Sequence, residues 1–299
     1  MRTILTGAVL LLCMQMVYAQ IHSEKIAKEF RFEKRSEGNT FMVFNINGSV
    51  SVVGHDGESV MVEVEKAIKA KTNERLERAK KELSLGIIDR SDTMIVFVDG
   101  LCNTFGRTNR KSSDYRYSGG WGYNWNGCNE DDNWRRGEQY DYKFNFVIRV
   151  PAGVNVVVST INDGDVDVQN TRSSVVANNV NGAIRLRDIA GATYASTING
   201  DVDLDYTKNP NKDCRYYTLN GDINANFKKG LAADMSFESF NGDLYTNVSR
   251  IESLPVSLEK KPKGEGVKYK LSGNRFKIGD GGVHLDFETF NGNVYLREN

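Results

Sequence analysis

The chain has 299 residues, enough for one large core, and no long Pro- or Ser-rich linker divides it. Lys plus Arg number 39 and Asp plus Glu number 39, so the formal net charge is zero. That balance argues against a nucleic-acid binder and against a polybasic membrane-surface protein.

The first 19 residues read as a signal peptide. Arg2 supplies a positive start, Ile4 to Val17 an apolar run, and Val17-Tyr18-Ala19 a small-residue cleavage pattern, which places cleavage before Gln20. Leu12 is not the small residue that a lipoprotein signal needs before its cysteine, so Cys13 is not read as lipidated. No other apolar run approaches the ~18 residues of a spanning helix. The expectation is an exported chain in the periplasm, associated with the outer membrane or at the cell surface, without a transmembrane segment.

Residues 20–100 read as the β-rich start of the fold from about Lys28, with strands at Thr40–Phe44, Ser49–Val53, Ser59–Glu65 and Met94–Val98. A helix interrupts them near 73–84. Thr72 or Asn73 caps it, Leu76, Ala79 and Leu83 share one face, and Glu74–Arg78 and Glu77–Lys81 are favourable pairs. Such a helix covers an open edge or end of a sheet.

From 101 to 142 the alternation stops. This Gly-rich, Asn-rich insertion holds all three tryptophans, Trp121, Trp125 and Trp134, together with Tyr123. These aromatics are candidate ligand-binding residues, able to stack on sugar faces or anchor a protein partner, or else they pack on the wall of the fold. Cys102 and Cys128 bracket the loop and form the candidate disulfide of an exported chain, which leaves Cys214 free at a strand start.

Residues 143–299 repeat one phrase: a small polar residue, an apolar residue, Asn-Gly, then alternating apolar residues. Its corners are Asn181-Gly182, Asn199-Gly200, Asn220-Gly221, Asn241-Gly242 and Asn291-Gly292. Asn47-Gly48 precedes them, and Asn162-Asp163-Gly164 carries one extra residue. Spacings from Asn162 are 19, 18, 21, 21 and then 50 residues. Asn-Gly is a strong turn signal because both residues tolerate positive φ. The alternation after each Gly, as in Val202/Leu204 and Ile223/Ala225, marks half-buried strands. Units of about 20 residues either coil into a β-solenoid or lie down as an antiparallel sandwich or barrel. Only the coil gives seven turns a reason to be alike, since it stacks each Asn about 4.8 Å from the next. The expected fold is therefore all-β: a single β-solenoid, parallel β-helix-like, with one short helix and a long loop insertion. Glu259 to Gly266 reads as a solvated loop.

Chemistry is sparse. His22, His55 and His284 share no motif with a Ser or Cys nucleophile, and no phosphate-cradling loop is present. Asp165, Asp201, Asp222 and Asp243 form an acidic stripe beside the repeat glycines. Stacked carboxylates repel unless a cation or Lys/Arg intervenes. The stripe serves solubility and turn formation, calcium binding or glycan cleavage; the Gly-Gly-x-Gly-x-Asp signature of the calcium β-roll is absent.

The signal peptide, the run Val43-Phe44-Asn45-Ile46-Asn47-Gly48-Ser49-Val50-Ser51-Val52, the step Phe146-Val147-Ile148-Arg149-Val150-Pro151-Ala152-Gly153 and the Thr-x-Asn-Gly-Asp phrases together resemble the bacterial putative-adhesin family of β-strand-repeat proteins, a domain family of unknown function. The resemblance covers most of 28–299. It implies a β-solenoid on or beyond the bacterial envelope, with no catalytic residues and no cofactor. The resulting expectation is a non-enzymatic cell-envelope or surface scaffold with an unknown protein or glycan partner. A carbohydrate-active enzyme using the acidic stripe and a periplasmic partner of an envelope-response system are the alternatives.

Overall fold

The computed structural model describes residues 19–34, 36–100, 104–105, 123–124, 140–255, 258–263, 266–271 and 274–299. The elements in chain order begin with β1 (Gln20–Arg31), β2 (Thr40–Phe44), β3 (Val50–His55), β4 (Ser59–Ala70), α1 (Asn73–Glu82), β5 (Ser84–Asp89) and β6 (Thr93–Asp99). The pair β7 (Thr104–Phe105) and β8 (Tyr123–Asn124) follows, then β9 (Tyr140–Pro151), β10 (Asn155–Ser159), β11 (Val166–Gln169), β12 (Val175–Asn178) and β13 (Ile184–Ile189). Next come β14 (Thr193–Asn199), β15 (Val202–Tyr206), β16 (Cys214–Asn220), β17 (Ile223–Phe227), β18 (Ala233–Asn241), β19 (Leu244–Thr246) and β20 (Ile251–Leu254). The chain ends with β21 (Leu258–Lys263), β22 (Gly266–Leu271), β23 (Asn274–Ile278), β24 (Val283–Asn291) and β25 (Val294–Glu298).

The fold is all-β with one short helix and two large sheets, neither closed into a barrel. Sheet A runs β1-β4-β9-β3-β11-β13-β15-β17-β25-β19, and sheet B runs β20-β23-β18-β24-β16-β14-β12-β10-β2-β6-β5. Each repeat contributes one strand to sheet B, turns at its Asn-Gly, and contributes the next to sheet A; such a pair is here called a rung. Rungs stack in parallel with like positions in register. Val50 faces Val166, which faces Ile184, then Val202, Ile223 and Val294. In sheet B the matching column is Val43, Val158, Ala177, Ala195, Tyr216 and Phe287. Both columns point inward and are essentially fully buried. Strand parity explains this, because alternate side chains must leave on opposite faces. Large rings meet within the core, Tyr206 stacked on Phe227 at 4.9 Å and Tyr216 tilted against Phe287 at 4.8 Å.

The corners are made differently from the sequence expectation. Among the described residues, the positive-φ positions other than glycine are Asp163, Asn170 and Asp188, so no corner Asn uses that region. Asp163, the extra residue of the irregular copy, takes φ 59 and absorbs the insertion locally. Among the corner glycines, close approach is the stronger demand. A Cβ on Gly200 would lie 2.3 Å from the Gly182 carbonyl oxygen, and one on Gly221 would lie 2.1 Å from that of Gly200.

Chain order and spatial order diverge at the C-terminal end. The last strands in sequence, β24 and β25, sit between β16/β17 and β18/β19. The path allows it because β23 pairs antiparallel with β18, and a turn with Gly279 at φ 58 and Gly281 at φ 77 returns the chain to the opposite side of β18. The Glu259–Gly266 stretch, expected as a loop, lies largely within the antiparallel β21–β22 ribbon.

The N-terminal end is closed by strands the alternation only partly announced. β1, β5 and the long β9 flank the first rungs, and β1 pairs antiparallel with all of β4. Helix α1 begins at the Thr72 cap, whose side chain accepts from the Arg75 N–H. Leu76 and Ala79, with Leu83 just beyond, join the main core. The Glu74–Arg78 pair forms, whereas Glu77 pairs with Lys80 instead of Lys81.

Candidate functional site

The repeated corner is the most ordered concentration of polar side chains. Its asparagines form one continuous ladder. Asn162 donates to Asn47 (3.3 Å), Asn181 to Asn162 (2.8 Å), Asn199 to Asn181 (2.9 Å) and Asn220 to Asn199 (2.9 Å), each Nδ2 to Oδ1. Asn291 then donates to Asn220 and Asn241 to Asn291, both at 2.8 Å. Such amide ladders suit stacked identical positions. A second ladder lies inside it. The hydroxyls of Thr160, Thr197 and Thr218 donate to the carbonyls of Gly48, Gly182 and Gly200 at 2.7 to 2.9 Å.

The acidic stripe is the third ladder. The Asp165 carboxylate accepts the Ala183 N–H (2.9 Å), Asp201 that of Asp222 (2.8 Å) and Asp222 that of Asn293 (2.7 Å). Asn293 in turn accepts the Asp243 N–H at 3.0 Å. Each residue thus satisfies a backbone donor of the next rung. Within the stripe Arg185 compensates Asp165, its guanidinium lying 2.7 Å away, and it also comes within 3.9 Å of Asp167 and Asp203 on the neighbouring strand positions. Burial alone would raise the Asp165 pKa, but the Arg185 guanidinium and the Ala183 N–H outweigh it and hold the carboxyl below its ordinary range. A general acid needs the opposite displacement. Among the described residues, no group of three or more His, Cys, Asp or Glu side chains is placed to hold a metal ion.

Two constellations invisible in the sequence appear elsewhere. Ser236, His284 and Asp286 meet on sheet B, with Ser236 Oγ 3.1 Å from His284 Nε2 and 2.5 Å from Asp286 Oδ1. Because the hydroxyl proton goes to the carboxylate, His284 must donate to Ser236. That is the reverse of what activates a serine nucleophile. The partners lie 48 and 50 residues apart, and only the out-of-order rung unites them. At the corner opposite the Asn ladder, a cleft of about 510 Å³ is lined by Arg31, Glu37, His55, Asp56, Ala152 and Arg172 among others. His55 Nδ1 accepts the Gly57 N–H, so its Nε2 donates to the Ser59 carbonyl. Both ring nitrogens therefore hold the 55–59 turn. The Asp56–Arg172 pair across the cleft is 2.7 Å long and well exposed.

Among the described residues, the large exposed aromatics are Tyr194 on β14 and a group of three, Phe240, Tyr245 and Phe290, at the distal end. Phe240 is 73% exposed and stacks on Phe290 at 4.8 Å; Tyr245 is 49% exposed and stacks on Tyr295 at 5.1 Å. Among the described residues, these rings belong to the repeats. Trp121, Trp125, Trp134, Cys102 and Cys128 lie outside the described residues, and of Tyr123 only its backbone pairing with Phe105 is described. Cys214 is free and buried at the start of β16, where it accepts the Thr193 N–H. No described helix is long and apolar enough to cross a membrane.

No family model and no curated protein matches the chain. A putative cell adhesion protein from Clostridium sporogenes ATCC 15579 is a similar solved structure. It is 9% identical, with 93% of this chain and 100% of that one covered and a TM-score of 0.40. A putative adhesin from Bacteroides fragilis NCTC 9343 is 9% identical over 92% of this chain and 97% of its own, with a TM-score of 0.37. A putative lipid binding protein from Parabacteroides distasonis ATCC 8503 has 9% identity, coverages of 92% and 96%, and a TM-score of 0.20.

Proposed function

We propose that the chain is an exported, non-enzymatic β-solenoid that serves as a cell-envelope or surface scaffold with an adhesive role. One observation carries this reading: the repeat Asn, Thr and Asp side chains that looked most like a site are engaged in rung-to-rung hydrogen bonds. Their chemistry builds a stiff rod and leaves recognition to faces and ends. Parallel strands in register, turning at like corners, support the solenoid reading over an antiparallel sandwich.

The test combines location and turnover. Antibody labelling of intact and permeabilised source cells should find the protein in the envelope, and the purified chain should bind but not cleave a glycan panel. Recovery only from the cytosol would end the export reading. Cleavage that disappears in Asp201→Asn or Asp222→Asn would replace the scaffold with an enzyme.

A further inference from the structure

We propose that the free edge of the last corner and its sheet A strand, residues 241–247, accepts an extended strand from a partner polypeptide, which pairs parallel to β19 and extends the corner ladders by one position. This goes beyond the scaffold reading and holds wherever the scaffold resides.

The argument rests on the polarity of the ladders. In the rung of Asn199 to Leu204, as in most others, a fixed set of groups points toward the next rung. The Gly200 and Val202 N–H donate to the carbonyls of Asn220 and Asp222, both at 2.9 Å. The Gly200 carbonyl accepts the Thr218 hydroxyl, Asn199 Oδ1 accepts from Asn220, and Asp201 accepts the Asp222 N–H. The spatially last rung repeats this set as the Gly242 and Leu244 N–H, the Gly242 carbonyl, Asn241 Oδ1 and the Asp243 carboxylate. Among the described residues no strand follows β19 in sheet A, whereas in sheet B β23 covers β18 over Ala233–Phe237 and leaves the corner beyond it open. Asn241, Gly242, Asp243, Tyr245, Thr246 and Asn247 are all exposed. Outward aromatic faces flank the edge at Phe240 and Tyr245, where the next residues along either stripe would stack.

Chemistry then selects the occupant. The edge offers two backbone donors and three oxygen acceptors in strand register, which suits an extended peptide better than a sugar or an ion. The complementary phrase is a hydroxyl residue, an apolar residue, Asn-Gly, and then alternating apolar residues. A second copy stacked head-to-tail does not supply it, because the first rung is sealed in sheet A by β9, β4 and β1. The opposite edge of sheet A is better guarded; β1 carries Glu24, Lys25, Lys28 and Glu29 along its length. The 241–247 edge has neither lysine nor proline.

A synthetic peptide with the chain's own Thr289–Asn299 sequence is the probe, since that segment already seats its donors on the matching acceptor set of the rung before it and stops short of the part of β18 that β23 covers. In the chain, Asn291 Nδ2 reaches Asn220 Oδ1 and the Asn293 N–H reaches the Asp222 carboxylate. Added to the full-length protein, it should slow amide exchange at Gly242 and Leu244 about tenfold, the worth of one net hydrogen bond each. A scrambled peptide should not. Asp243→Ala should weaken binding severalfold while leaving the melting temperature unchanged, since Asp243 bonds within the chain through its backbone. Asn241→Ala should weaken binding likewise and lower stability by no more than its one bond to Asn291. Absence of saturable binding overturns the proposal. So does binding that leaves the 242 and 244 amides unprotected, which would mean that the peptide displaces the resident C-terminal rung. Binding indifferent to both substitutions also overturns it.

Discussion

Asn291 donates its Nδ2 to the Oδ1 of Asn220 at 2.8 Å, although 71 residues separate them. The next corner in sequence, Asn241, hangs from Asn291 instead. The C-terminal strands therefore act as an inserted layer on which the rung before them depends.

Deleting residues 283–299 should release the β18–β19 rung while the rungs up to β17 keep their protection. The deletion removes buried Leu285, Phe287, Val294 and Leu296. Each large apolar side chain contributes about 1.5–3 kcal/mol when fully buried, and repeat arrays lose stability locally along their axis. Hydrogen exchange read by mass spectrometry decides. Unchanged protection across 233–246 would mean that this rung finds other support.

Position within the ladder should set the cost of losing an amide. Asn199 donates to Asn181 and accepts from Asn220, whereas Asn241 only donates. At about 0.5–1.5 kcal/mol per net hydrogen bond, Asn199→Ala should cost roughly twice what Asn241→Ala costs in denaturant unfolding. Equal costs would remove the ladder as a source of stability.

Two glycines should behave oppositely. Gly200→Ala places a methyl 2.3 Å from the Gly182 carbonyl oxygen and 2.8 Å from the Ala183 nitrogen, backbone atoms that cannot swing away, and should cost about 1–3 kcal/mol or more. Gly153, in the Val-Pro-Ala-Gly step, has nothing within 4 Å of its added Cβ. Gly153→Ala should therefore unfold close to the parent curve. A neutral Gly200→Ala would contradict the close stacking of the corners.

Asp165 should give a pH signature. Its folded pKa lies below the ordinary value, so its contribution is present above the usual Asp range near about 4 and fades as pH falls through the lower folded value. Asp165→Asn still accepts the Ala183 N–H but loses the charge facing Arg185. The stability gap between parent and variant should be open at neutral pH and closed in strong acid. A gap independent of pH would show that the charge contributes nothing.

Peptide mapping of the unreduced mature protein should find Cys102 joined to Cys128 and Cys214 free. The chain-entropy model assigns roughly 3 kcal/mol to closing a loop of this size. Free thiols at both positions after export would discard the bridge.

Much of this protein was legible from residue order alone. The inward columns through Val202/Leu204 and Ile223/Ala225, the seven stacked corners and the Thr72-capped helix all follow from strand parity, helix spacing and local capping. These depend on a few neighbouring residues, and repetition made them plain. The charged β1 was not read as a strand, because its side chains are mostly half-exposed or exposed and carry no apolar alternation. The stacking order of the last rungs was not legible either. Ser239-Phe240-Asn241-Gly242 and Thr289-Phe290-Asn291-Gly292 offer interchangeable donors, acceptors and rings, so local chemistry cannot say which sits on Asn220. The tertiary path decided it, through the β18–β23 pairing and the glycine turn at 279–282. The same decision brought Ser236 to His284, gave the carboxylates their backbone partners across rungs, and left the edge at 241–247 as the open end of sheet A. A repeat encodes what each rung can bond to; only the folded connection determines which rung remains unbonded.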